Sequence, residues 1–239
     1  GAGVSGRREP SSPRNVTEPS SFRTAGAYSK ITSCPHCGGE KEIMSLMSGN
    51  YIGAELWSDG KLIAPMLQKP SPVQKCPHCR KYYFMPPYEE TKKSESLFGT
   101  RGLLSYLEWK EAYWQFCESL ESPENISKVN SIKLNNVRFW VLQAYNDFYY
   151  RGNDEHVPSA EEFEFVKSIA IRFVEEYGDV EPLMKAEIYR EINEMQKCSA
   201  ILSSICTEHL NDSQMGIYCE MKERMEKGDN RVFRIKHGK

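Results

Sequence analysis

Cys34-Pro35-His36-Cys37 and Cys76-Pro77-His78-Cys79 are the same tetrapeptide written twice, with 38 residues between the copies. Each copy puts two thiols on one tight turn. Two such turns supply four sulfur ligands, the donor set zinc takes in closed structural sites. Pro35 and Pro77 preset φ at the first spacer position. Gly38 follows the first pair, where the chain needs a positive φ to leave the turn. Arg80 stands at the equivalent place after the second pair. Cys34, Cys37, Cys76 and Cys79 are therefore expected to close on one structural zinc ion, and the segment between them to fold as a small β zinc ribbon.

The motif has a redox rival. Thiol–disulfide oxidoreductases also use Cys-x-x-Cys, with the first Cys at a helix N-terminus after a buried strand. Here neither pair follows an apolar strand. Gly38-Gly39 and Arg80-Lys81-Tyr82-Tyr83 come next, not an amphipathic helix. Two copies in one module suit one shared ion better than two redox centres. His36 and His78, each between two ligands, are expected to point outward as solvated spacers. His156, His209 and His237 have no catalytic neighbour in sequence and read as surface residues.

Around the knuckles, residues 31–87 have the texture of short strands. Ser58-Asp59-Gly60-Lys61 between Leu56-Trp57 and Leu62-Ile63 predicts a hairpin, because Asp-Gly tolerates the positive φ of a tight turn. Trp57, Tyr82, Tyr83, Arg80 and Lys81 are the candidate binding residues, an aromatic and basic set of the kind that stacks on single-stranded nucleic acid. Against this, the aromatics also suit the ribbon's own small core. Counting four thiolates and one zinc, the ribbon comes close to electrical neutrality, a weak grip on a polyanion.

Residues 1–30 are rich in Ser, Pro, Arg and Gly, with five basic and two acidic side chains. Such a composition buries too little apolar surface to offset chain entropy, and the segment reads as a disordered leader. Its start shows no apolar core of a secretory signal.

From about residue 101 the period becomes helical. Tyr106, Trp109, Tyr113, Phe116 and Leu120 recur at three and four residues, one stripe of a helix. Val137, Trp140, Val141, Ala144, Tyr145 and Phe148 form a second. Phe163, Val166, Ile169, Ala170, Phe173 and Tyr177 form a third, opened by Ser159 and Glu162 at capping-box spacing. Shorter helices are expected near 182–192, 195–208 and 213–227, with Gly228 just past the last. The tail Val232-Phe233-Arg234-Ile235 alternates and suits a short strand. The fold class is α+β, a leader over 1–30, a zinc ribbon over 31–87 and an α-helical, repeat-like domain over 101–235.

With 239 residues, 39% hydrophobic and 27% charged, the composition is that of a soluble globular protein. The net charge of −2 argues against a dominant polyanion partner. Nothing in the sequence approaches the roughly 18 apolar residues that span a bilayer, so no membrane partner is expected. Cys117, Cys198, Cys206 and Cys219 are scattered through helical sequence. Read as core thiols, they place the chain in a reducing compartment, the cytoplasm.

Leu183 to Ile205 resembles a tetratricopeptide repeat. Ala186 stands at the family's small helix-A position, Tyr189 at its tyrosine, Asn193 at the turn and Cys198 at the small helix-B position, with Leu202 and Ile205 following. Small residues at 186 and 198 let two helices approach closely. Lys185 replaces the usual Leu and Ile205 the usual Ala, and Arg138 to Gly152 is a faint echo. A single repeat makes a helix pair in a bundle, not a solenoid. Together with the knuckles, residues 31–235 resemble uncharacterised bacterial proteins that join an N-terminal four-cysteine zinc ribbon to tetratricopeptide-like helices. The resemblance implies no known reaction. It implies a protein or peptide partner on the helical domain. The expected function is therefore a zinc-binding adaptor or scaffold acting by protein–protein interaction, without catalysis. A nucleic-acid-binding ribbon is the alternative, and a thiol redox enzyme or hydrolase the third.

Overall fold

The fold is that of a computed structural model, which describes residues 27–46, 49–67, 70–85, 104–120, 127–151, 156–176 and 178–236. Most of the stretch read as leader lies outside these residues, and the first strand begins at Ala27.

Three antiparallel hairpins come first. β1 (Ala27–Ser33) and β2 (Glu40–Leu46) close across the first knuckle, with Ser33 opposite Glu40. β3 (Glu55–Leu56) and β4 (Leu62–Ile63) close across Asp59-Gly60. There Gly60 takes φ 74°, as the dipeptide requires. β5 (Val73–Lys75) and β6 (Tyr82–Phe84) close across the second knuckle. Six α-helices follow among the described residues: α1 (Tyr106–Leu120), α2 (Lys128–Tyr149), α3 (Ala160–Glu176), α4 (Pro182–Glu191), α5 (Met195–Ser204) and α6 (Asp212–Glu226). The α+β class expected from the sequence is the one observed, a small β part followed by a helical part. None of the described helices is long and apolar enough to cross a membrane.

α2 sits between α1 and α3, and this position governs its composition. Every residue from Leu134 to Asn146 is buried. A helix enclosed on all sides has no solvated face, so Asn135, Asn136, Arg138, Gln143 and Asn146 must find partners inside the protein. Trp140 packs at 5.3 Å from Trp109 of α1, and Phe139 stacks at 5.1 Å on Phe173 of α3.

The α3 capping box forms only in half. Ser159 Oγ accepts the Glu162 N–H at 3.2 Å, but the Glu162 carboxylate turns to α1, where the Tyr106 hydroxyl and the Lys110 ammonium donate to it. A capping carboxylate has been diverted into a tie between helices. α6 has a complete box, Asn211 and Gln214 each accepting the other's N–H, and Gly228 ends it at φ 65°.

α4 and α5 form the short helix pair, joined through Asn193 at φ 61°. Ala186 and Cys198 are fully buried in the core beside Tyr189 and Leu202. The core is continuous from the β5–β6 hairpin, through Val73 and Tyr82, across the helices to Phe233 near the C-terminus.

Candidate metal centre

The four cysteine sulfurs all lie within 4.8 Å of one another. Cys34 Sγ stands 3.7 Å from Cys79 Sγ, and Cys37 Sγ 3.6 Å from Cys76 Sγ. Both spacings are far beyond a disulfide bond, and all four are free thiols. A tetrahedral ion with metal–sulfur bonds of about 2.3 Å holds its sulfurs about 3.8 Å apart. The donor set therefore fits one metal ion, with a sulfur at each vertex and no vertex left for water.

The two knuckles are near copies in three dimensions as well as in sequence. Cys34 N–H donates to Gly39 O and Cys76 N–H to Lys81 O, both at 2.9 Å. Gly38 N–H returns to Cys34 O and Arg80 N–H to Cys76 O. His36 N–H points at Cys34 Sγ and His78 N–H at Cys76 Sγ, both at 3.4 Å. Gly38 and Arg80 share the left-handed conformation, φ 73° and 62°. For Arg80 this costs roughly 1–2 kcal/mol, which a glycine would avoid.

Both histidine rings are exposed, as expected of residues that are not ligands, yet each has a task. The carbonyl of Tyr82 accepts from His36 Nε2 at 3.2 Å, and that of Glu40 accepts from His78 Nε2 at 3.3 Å. Each knuckle thus grips the strand leaving the other. His78 also lies flat against Gly39, where an added Cβ would come within 2.3 Å of the ring. Gly39→Ala is expected to push His78 aside and break its bond to Glu40. The ribbon should lose about 1–2 kcal/mol, read as a lower thermal midpoint with the metal retained.

Electrostatics favours a cation among the four sulfurs once they ionise. Burial opposes ionisation of Cys76, but the N–H groups of Cys79 and His78, together with the thiols of Cys37 and Cys34, hold its thiol down at about 6. The Lys81 N–H favours a thiolate at Cys79, yet burial and the sulfurs of Cys37, Cys76 and Cys34 push it up to about 11. Four adjacent sulfurs cannot all carry charge at neutral pH unless a positive ion sits among them.

The other candidate binding residues are placed differently from one another. Arg80 and Lys81 are exposed. Tyr82 and Tyr83 are buried, 3% and 2% exposed, and Trp57 is half-buried. Tyr83 packs on Cys34 and Cys76. Tyr82 faces the helices: its hydroxyl donates to Glu111 at 2.6 Å, and burial with that carboxylate pushes the phenol up to about 12. The Gln115 amide of α1 pairs with both the N–H and the C=O of Tyr82 at 2.8 Å, standing in for a neighbouring strand. The same carbonyl accepts from His36, so the metal knuckle and α1 meet at one atom. Lys61 and Lys75 are spoken for by Asp147 and Glu111.

Sequence reasoning missed a buried polar network between the β3–β4 hairpin, α2, α4 and the C-terminal tail. Asp59 is fully buried at the hairpin tip. Its carboxylate accepts from Lys61 N–H, from Asn146 and from Arg151, and its carbonyl accepts from Gln143 at 3.0 Å. Asn146 also donates to Glu191 at 2.8 Å. One residue before Glu191, Arg190 makes a bidentate pair with Glu187 and donates to the carbonyls of Asp229 and Arg231. The tail is thereby drawn onto the hairpin. Ser58 N–H donates to Phe233 O, Phe233 N–H to Ser58 Oγ, and Ile235 N–H to Leu56 O. The short strand expected of the tail is the bridge between Arg234 and Trp57.

Burial, then the charges of Glu187 and Asp59, raise the Glu191 carboxyl well above its usual range. The unfolded chain releases this proton near pH 4.3. The folded chain keeps it, so the stability it contributes is full at low pH and declines as pH rises toward the folded value. Glu191→Gln keeps the acceptor for Asn146 without the charge. It is expected to flatten the decline that sets in above about pH 4.3, read by urea denaturation across pH.

No family model matches the sequence, and neither a curated protein nor a solved structure matches the chain.

Proposed function

We propose that this chain is a zinc-held adaptor: the ion is structural, and the helical part carries a protein–protein interaction in the cytoplasm. The observation that supports it most is the closed set of four sulfurs around one point. Zinc sites that activate water keep a position open, whereas sites with four protein ligands serve the fold. The ion then fixes the β1–β2 and β5–β6 hairpins, and Tyr82 transmits their position to α1 through Gln115 and Glu111. The α4–α5 pair, with Ala186 and Cys198 buried between its helices, is compatible with the tetratricopeptide-like reading of a helical interaction domain.

The nucleic-acid reading has less support. Two of its three aromatic candidates are core residues, and Lys61 and Lys75 are ion-paired. The test of the adaptor role is native crosslinking with mass spectrometry on the metal-loaded protein. A specific protein linked to lysines of the helical part, such as Lys197 or Lys222, is the expected result. Recovery of no protein partner under native conditions would overturn it.

A further inference from the structure

We propose that the groove between α6 and the C-terminal tail binds an extended segment of a partner protein as an added β-strand. The inference rests on the adaptor reading and names the docking site within it. The groove has a volume of about 500 Å³. Its helix wall is one stripe of α6, Asp212, Ser213, Gly216, Ile217 and Glu220, and its other wall is the tail from Phe233 to Lys236.

At Arg234 the tail runs alongside Leu56 to Ser58 through a single antiparallel bridge, with one side in use. Phe233 and Ile235 turn their hydrogen-bonding groups toward Ser58 and Leu56. Alternation along an extended chain turns those of Arg234 the other way. Neither the N–H nor the C=O of Arg234 has a partner among the described residues. β3, the strand beside it, is already paired with β4 on its far side. The growing point of this sheet is therefore the tail.

Gly216 is the second observation. A glycine inside a helix costs roughly 1 kcal/mol against alanine. Packing within the chain does not require it, because an added Cβ would meet nothing within 4 Å. A helix wall without a side chain lets a second backbone approach closely. The facing strand edge says what that backbone is: an extended peptide exchanging main-chain hydrogen bonds with Arg234.

Charge narrows the occupant further. Glu220 and Arg234 are already paired with Arg224 and Glu55, and Asp212 on one wall is opposite in sign to Lys236 on the other. Such a groove does not attract a polyanion. Selection is left to main-chain pairing and to apolar contact with Ile217, so the fitting segment is uncharged overall, β-prone and carries an apolar side chain over Ile217.

A phage-displayed library of random peptides of about 12 residues, panned against the metal-loaded full chain, supplies the probe. Selected peptides are expected to lose about tenfold or more in affinity when the amide facing Arg234 is N-methylated, and again on Gly216→Trp. Gly216→Ala, which enters open space within the chain, should keep the fold and weaken binding less than Gly216→Trp. Enrichment of no peptide, or binding indifferent to N-methylation on the unaltered protein, would overturn the groove assignment. The N-methyl arm does not depend on the folding of any variant. A protein partner crosslinked to the native chain but unaffected by Gly216→Trp would sink the groove while leaving the adaptor reading in place.

Discussion

Replacing Cys76 with serine is expected to release the metal and unfold the ribbon. Cys76 is buried, 1% exposed, and its sulfur stands 3.6 Å from that of Cys37. A structural zinc site contributes an apparent stabilisation of about 10–16 kcal/mol at neutral pH, comparable to the whole stability of a typical domain, roughly 5–15 kcal/mol. Two-stranded sheets are marginal on their own. Among the described residues Tyr83 is the buried apolar side chain of the small cluster beside the cysteines, while Val73 and Tyr82 of β5–β6 join the helical core. The loss should spread to α1, because Tyr82 carries both the His36 contact and the Gln115 pairing. Hydrogen exchange is the measurement. Protection should vanish over 27–46 and 70–85, weaken in α1, and persist in α3 to α5. The same pattern should appear when a chelator strips the unaltered protein.

Asp59→Ala is expected to be the most damaging change outside the metal centre. Among the described residues it leaves Arg151, whose side chain is 4% exposed, with Asp147 alone as an ion-pair partner, and it takes from Asn146 one of its two acceptors. Breaking a buried pair from one side costs about 3–5 kcal/mol, because the remaining charge keeps its desolvation penalty. The hairpin tip is also the seat of the tail, so the bonds of Ser58 to Phe233 should loosen with it. Thermal unfolding should show the loss. Asp59→Asn, which keeps the turn acceptor for Lys61 and relieves the repulsion on Glu191, should lose less.

The knuckles were legible because two Cys-Pro-His-Cys turns are local patterns, and their four sulfurs, brought together, make the donor set of one metal ion. The first three helices were legible from their stripes, and Gly228 and the Asp59-Gly60 turn from backbone conformations that favour those residues. What the turn does was hidden. Local chemistry makes Asp59 a turn former, but its partners Gln143, Asn146 and Arg151 lie in and just past a helix more than eighty residues away. The polar residues of α2 were hidden for a related reason. Asn135, Arg138 and Asn146 look like a solvated face until neighbours close over every side of the helix. Glu187 and Arg190, at a spacing common on helix surfaces, proved fully buried. A polar pattern interleaved with apolar residues at every helical angle, as in residues 134–146, was the one signal available.

X-ray absorption at the zinc edge, on protein purified without added metal and assayed for metal content, tests the central claim most directly. One zinc per chain with a single shell of four sulfurs at about 2.3 Å is the expected result. A first shell containing nitrogen or oxygen, or a metal-free protein whose four cysteines are joined in disulfides, would contradict it.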